Sequence, residues 1–244
     1  MEDDGVQQIK ASEDVRNEIG DTALHVATRA AHADFVKQLV TSNYMKENDL
    51  EKKNKEGDTA FTLAAMSGNV QLALLMFEKN KKLAMIRDGK KYYPGMLPVQ
   101  VAALLGLKDM VNYLYTITGE ELKNEDRIKL LKNKEGDTAF TLAAMSGNVQ
   151  LALLMFEKNK KLAMIRDGKK YYPGMLPIQV AALLGLKDMV NYLYTITGEE
   201  LKNEDRIKLL VTLIDNDSYG KHQFQNILGL PVFVYKRPAM KMLA

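Results

Sequence analysis

Residues 53–131 of this chain occur a second time as residues 132–210, and the two copies differ only where Val99 is matched by Ile178. A tandem repeat limits the possible folds more than any local propensity. Identical local sequence makes identical local contacts, so such units stack on one another. Each copy divides again into two smaller units, which start at Asn54 and Tyr92 in the first copy and at Asn133 and Tyr171 in the second. A further unit starts upstream at Asn17. Each unit reads as a short helix, a sharp turn and a second helix. In the first unit Phe35, Val36, Leu39 and Val40 recur at helical spacing and form the apolar stripe of its second helix. Thr22 stands where a hydroxyl can serve the free N–H groups of a helix start, and His25 can bond to the same region.

These readings give an all-α stack over residues 17–214. Residues 1–16 are expected to be a flexible N-terminus, and residues 215–244 a poorly ordered tail. Residues 120–131 and 199–214 read as helices. The second of these runs on into Val211-Thr212-Leu213-Ile214, a natural continuation. The first meets Lys132-Asn133-Lys134, which marks a seam. A recent duplication, an engineered one and a gene-model artefact all fit that seam. The interface there is expected to be the weakest within the stack.

The run Gly20-Asp21-Thr22-Ala23-Leu24-His25-Val26-Ala27 resembles the ankyrin repeat, whose signature is Thr-Pro-Leu-His-x-Ala. Ala23 replaces the signature Pro, and Ala31 replaces the usual Gly at the turn between helices. The second unit keeps Gly57, Thr59, Ala64, Ala65 and Gly68 but has Phe61 and Thr62 for Leu and His. The third keeps Gly95, Pro98, Ala102, Ala103 and Gly106, with Leu97 for Thr, Val99 for Leu and Gln100 for His. The resemblance implies an ankyrin-repeat solenoid, helix–turn–helix units joined by short finger loops. Unit starts lie roughly 37–41 residues apart against about 33 in an ankyrin unit, so the surplus belongs to loops.

Gly57-Asp58-Thr59-Ala60-Phe61-Thr62-Leu63-Ala64-Ala65 and Tyr92-Tyr93-Pro94-Gly95-Met96-Leu97-Pro98 also resemble plant ankyrin proteins of the accelerated-cell-death type. Those carry a C-terminal membrane region with a Pro-Gly-Gly motif, and the sequence here contains neither. The narrower resemblance implies a role in defence or stress signalling. The chain would then be the cytosolic regulatory or assembly region of a membrane protein, truncated before its spans, at the inner face of the plasma membrane.

Composition removes several other classes. There is no Cys, which excludes disulfide frameworks and thiolate zinc sites and fits a cytoplasmic protein. The formal charge of +3 is a poor electrostatic footprint for nucleic acid. No apolar run reaches the ~18 residues that a membrane span needs. The acidic Met1-Glu2-Asp3-Asp4-Gly5 is not a secretory signal. His25, His32 and His222 form no ligand cluster, and neither a nucleophile elbow nor a phosphate loop is present. No catalysis, metal or cofactor is expected.

Partner binding is therefore expected, through the concave groove that the resemblance implies. The groove positions of the second unit are Lys55, Glu56, Asp58, Met66 and Ser67. In the third they are Tyr93, Pro94, Met96, Leu104 and Leu105, an apolar and aromatic patch where solvent would be expected. The candidate binding set is Tyr92, Tyr93, Met96, Leu104 and Leu105, with Tyr171, Tyr172, Met175, Leu183 and Leu184 in the second copy. Packing of the leucines against the neighbouring unit is the alternative. Met76, Met85 and Met110 are expected to fill the core.

Overall fold

A computed structural model describes residues 16–87, 89, 91, 93–120, 137–168 and 172–216. Among these residues there are eleven α-helices and no β-strand. Ten of the helices form five pairs: α1 (Ala23–Arg29) with α2 (Ala33–Thr41), α3 (Ala60–Ser67) with α4 (Val70–Lys79), α5 (Pro98–Leu104) with α6 (Lys108–Glu120), α7 (Ala139–Met145) with α8 (Val149–Lys158), and α9 (Pro177–Leu183) with α10 (Lys187–Thr197). A last helix, α11 (Asn203–Asp215), packs on α9.

The first helices of the pairs form one row, α1–α3–α5–α7–α9–α11, and the second helices form another, α2–α4–α6–α8–α10. Helices of the first row are short and carry buried alanines, such as Ala64 and Ala65 in α3 and Ala102 and Ala103 in α5. Small side chains let helix backbones approach closely, which holds this row in tight register. The second row supplies bulk to the core between the rows: Leu72 and Met76 from α4, and Met110, Val111 and Leu114 from α6, are all buried. Met76 and Met110 thus fill the core as expected, while Met85 is only partly buried against it.

The turn between the helices of a pair needs one left-handed residue. Gly68, Gly106, Gly147 and Gly185 supply it in four units, with φ of 72°, 72°, 72° and 71°. The first unit places Ala31 there at φ 55°, the one non-glycine residue with positive φ among those described.

Two expectations need correction. Phe35 was placed in the buried stripe of α2 but is 38% exposed, and Val26 of α1 is 47% exposed. The matching positions of the second unit, Leu72 and Leu63, are buried. Those positions face a preceding unit, and the residues that precede Asn17 by more than one lie outside those described. The seam also differs from its expectation. Helices α5 and α7 pack as their counterparts do, and two hydrogen bonds cross the boundary: Gln100 Nε2 donates to the Asp137 carbonyl (3.3 Å) and Asn148 Nδ2 to the Gly106 carbonyl (3.2 Å). The connecting residues 121–136 lie outside those described.

Candidate protein-binding face

The start of each first-row helix carries a polar bridge built from different residues in different units. In α1, His25 Nδ1 accepts from the Thr22 backbone N–H (3.3 Å) and lies 2.7 Å from Thr22 Oγ1. Its Nε2 lies 3.0 Å from the Asp58 carbonyl of the next unit. A carbonyl can only accept, so the proton is on Nε2. Burial pushes the His25 pKa down, which keeps the ring neutral. Thr22 therefore bonds to His25 and not, as the sequence suggests, directly to the helix N–H groups.

Gln100 reproduces this bridge. Its Oε1 accepts from Leu97 N–H (2.8 Å) and its Nε2 reaches the next unit at Asp137. Gln179 does the same with Leu176 N–H (2.9 Å) and the Asp205 carbonyl (3.2 Å). The Gln that departs from the ankyrin signature therefore keeps its mechanics. In the units between, Thr59 Oγ1 accepts from Thr62 N–H and Thr138 Oγ1 from Thr141 N–H, each at 3.1 Å. These bonds close the helix start but do not reach the next unit.

The fingers of the third and fifth units end in matching turns. Met96 N–H donates to the Tyr93 carbonyl and Met175 N–H to the Tyr172 carbonyl, both at 3.0 Å. Pro94 and Pro173 take the second position of these turns. Gly95 (φ 75°) and Gly174 (φ 74°) take the third, as a type II turn requires. One arginine pins each turn: Arg87 Nη1 donates to the Gly95 carbonyl and Arg166 Nη1 to the Gly174 carbonyl, both at 2.9 Å. Lys91 ties the third-unit finger back to the second unit through Glu56 (Nζ–Oε1 2.8 Å). Gly89 packs against the backbone of Gly57 so closely that a Cβ would lie 2.1 Å from the Gly57 Cα.

The candidate residues fall into three groups. Tyr93, Met96, Tyr172 and Met175 are half-buried beside these pinned turns. Leu105, Leu183 and Leu184 are 42%, 41% and 42% exposed, and Leu104 is half-buried. Tyr92 and Tyr171 lie outside the described residues. Of the second-unit groove positions, Ser67 is exposed and Met66 half-buried. Asp58 is a correction: it is 2% exposed, its N–H donates to Asn54 Oδ1 (2.9 Å), and its carbonyl receives His25. It holds units together and does not face the groove.

The electrostatics of the two copies diverge despite their shared sequence. Arg166 forms a two-pronged pair with Asp205 of α11, Nη1–Oδ1 3.0 Å and Nη2–Oδ2 2.8 Å. That arginine holds the Asp205 pKa below the ordinary carboxylate value, and Asp205 raises that of Arg166. In the first copy burial lowers the pKa of Arg87. No arrangement of His, Cys, Asp and Glu among the described residues could hold a metal ion, and no helix among them is long and apolar enough to cross a membrane.

A family model for ankyrin repeats, in three copies, matches residues 2–85 and 99–205. The chain belongs to the ankyrin-repeat family. The match includes residues 2–16, upstream of the first unit read from the sequence. A curated relative, an ankyrin repeat-containing protein of Arabidopsis thaliana, is 37% identical over 93 residues, which are 37% of this chain and 17% of the relative. The match thus spans about a sixth of that relative's length.

Proposed function

We propose that this chain is a non-catalytic protein-recognition module. Its partner docks in the concave groove along the first-row helices and finger turns. Tyr93, Met96, Leu104 and Leu105 form one contact patch, and Tyr172, Met175, Leu183 and Leu184 form its repeat. Tyr92 and Tyr171 are assigned to the same patches from sequence. The observation that carries this reading is the exposure of Leu105, Leu183 and Leu184 at the ends of helices whose other apolar residues are buried. Exposed apolar and aromatic side chains on a pinned loop lose little entropy on binding, which favours their use as anchors. Two such patches on one stack suit a dimeric or repetitive partner, where avidity exceeds the affinity of one patch.

The test is partner binding by Tyr93→Ala, Tyr172→Ala and the double variant, with folding checked by thermal melts. Loss of one true anchor costs about 2 kcal/mol or more. A folded double variant that binds like the parent would make these tyrosines structural.

A second reading is favoured by the short share of the Arabidopsis relative that the match covers. In it, the chain is the regulatory or assembly region of a longer plant membrane protein in defence or stress signalling, held in the cytoplasm at the plasma membrane. A transcript that continues past Ala244 into apolar spans would support it. A stop codon at that point in every transcript would count against it.

A further inference from the structure

The ladder of aspartates that precedes each first-row helix holds one contact that the recognition role does not explain. In the first unit Asp21 is buried between a cation and an amide: Oδ2 pairs with Arg29 Nε (3.1 Å) and Oδ1 accepts from Asn54 Nδ2 (2.8 Å). The matching residue of the fourth unit is Asp137, 2% exposed. Met145 stands where Arg29 stands in the first unit, so that cation is gone. The residue brought against Asp137 from the next unit is another carboxyl group, Asp167, at 6% exposure.

Asp167 is the base of the fifth-unit finger. Its N–H donates to the Met175 carbonyl (2.7 Å), and its own carbonyl receives Gly174 N–H (3.4 Å), so it joins the two arms of the loop. The next residue, Gly168, donates its N–H to Asp137 Oδ1 (3.2 Å). Both Asp167 side-chain oxygens are buried without a hydrogen-bond donor. Two buried carboxylates in contact repel, whereas a carboxyl and a carboxylate share a proton in a strong hydrogen bond. With Asp137 already receiving an N–H, the shared proton resides on Asp167.

Among the described residues, the charged groups on the surrounding elements are Asp137, Arg166, Asp205 and Glu204. Arg166 faces away, committed to Asp205 with Glu204 nearby. The finger-tip Lys169 and Lys170 lie outside the described residues. We infer that a proton shared by Asp137 and Asp167 latches the fifth-unit finger to the fourth unit, and that loss of this proton frees the finger. Release is a simple ionisation: Asp167 gives its proton to water, and two carboxylates then repel across the boundary between the units. Burial first, then the Asp137 carboxylate, raises the Asp167 pKa to about 8, from an ordinary value of 3.8. The latch is therefore complete below 3.8 and is lost as pH rises through about 8. If Tyr172 and Met175 bind a partner as proposed above, their presentation is under proton control, and this consequence alone rests on that proposal. The first copy carries the same residues as Asp58 and Asp88, and Asp58 Oδ2 is likewise buried without a partner.

Hydrogen exchange on the full chain tests the latch without any partner. Peptides that run from Arg166 through Ile178 are distinguishable from the first copy, because Ile178 replaces Val99. Protection is compared at pH 6.5 and pH 9 after correction for intrinsic exchange. The parent should lose about tenfold, one pH unit beyond the midpoint being a tenfold change in the protonated fraction. Asp167→Asn keeps a donor toward Asp137 at every pH and should show the same protection at both. Asp137→Asn should also remove the pH dependence, and serves if Asp167→Asn does not fold. Asp188→Asn, exposed on α10, should behave as the parent. Equal protection of the parent at the two pH values overturns the latch whichever variants fold, and so does a pH response in Asp167→Asn as large as the parent's. Neither result bears on where a partner binds.

Discussion

Replacing Gln100 by Ala isolates the polar bridge between stacked units. Gln100 is fully buried, with its amide between Leu97 N–H at 2.8 Å and the Asp137 carbonyl at 3.3 Å. Truncation leaves those two buried backbone groups short of a partner, at about 1–3 kcal/mol per group. The longer bond places its share at the low end of that range. The lost methylene adds about 0.8 kcal/mol. The expected cost is then about 3 kcal/mol, read as a shift of the urea midpoint in far-UV circular dichroism. Gln100→His should restore most of it, because His25 makes the same two contacts with Nδ1 and Nε2. Gln179→Ala should cost less globally, since the carbonyl it serves belongs to the last described helix, which can fray without unstacking the rest. A Gln100→Ala variant within about 0.5 kcal/mol of the parent, the range of an ordinary surface change, would refute the bridge. So would a His variant as unstable as the Ala variant.

Ala31→Gly should stabilise the chain by about 0.5–1 kcal/mol, since Ala31 sits at φ 55° where the other units use Gly, and the thermal midpoint reads it. Tyr113→Phe and Tyr192→Phe should be neutral or stabilising by up to about 1 kcal/mol, because both hydroxyls are buried without a partner. Their raised pKa values, about 12, arise first from burial and then from Glu78 and Glu157, so parent and variants should keep the same difference across neutral pH in denaturant titrations. Asp205→Asn should loosen α11 by about 1 kcal/mol, a figure discounted because Arg166 is 44% exposed. The Asp205 contribution is present above the ordinary value of 3.8 and lost as pH falls through its lower folded value, so hydrogen exchange of α11 should converge for parent and variant in acid.

The repeat made the helix order and the unit boundaries readable, because Gly68, Gly106 and their copies mark a turn that few other residues can make. The candidate face was readable to the same extent: Leu105 and Leu184 stand out as apolar residues at helix ends, and both are exposed. What sequence could not supply was partners distant in the chain. Gln100 reads as a departure from the His of the signature, and only the position of Asp137 reveals that the amide does the work of the imidazole. Asp58 reads as a groove residue by its place beside a turn, yet the next unit buries it. The contact of Asp137 with Asp167 spans a complete helix pair, and no local pattern announces it. Identical sequence also acquired different surroundings: Arg166 meets Asp205 because α11 follows the second copy on that face, whereas α7 occupies the same place after the first.

The most direct test of the recognition face is quantitative affinity capture from plant extract with three baits: the parent, the double variant Leu105→Glu/Leu184→Glu, and Asp188→Glu as a surface control. Each bait is first matched for far-UV circular dichroism and thermal midpoint. If the exposed leucines are central contacts, proteins retained by the parent and by Asp188→Glu should fall by about 30-fold on the leucine variant, the equivalent of a 2 kcal/mol hot spot. Retention of the same proteins in the same amounts by a folded Leu105→Glu/Leu184→Glu bait would contradict the account.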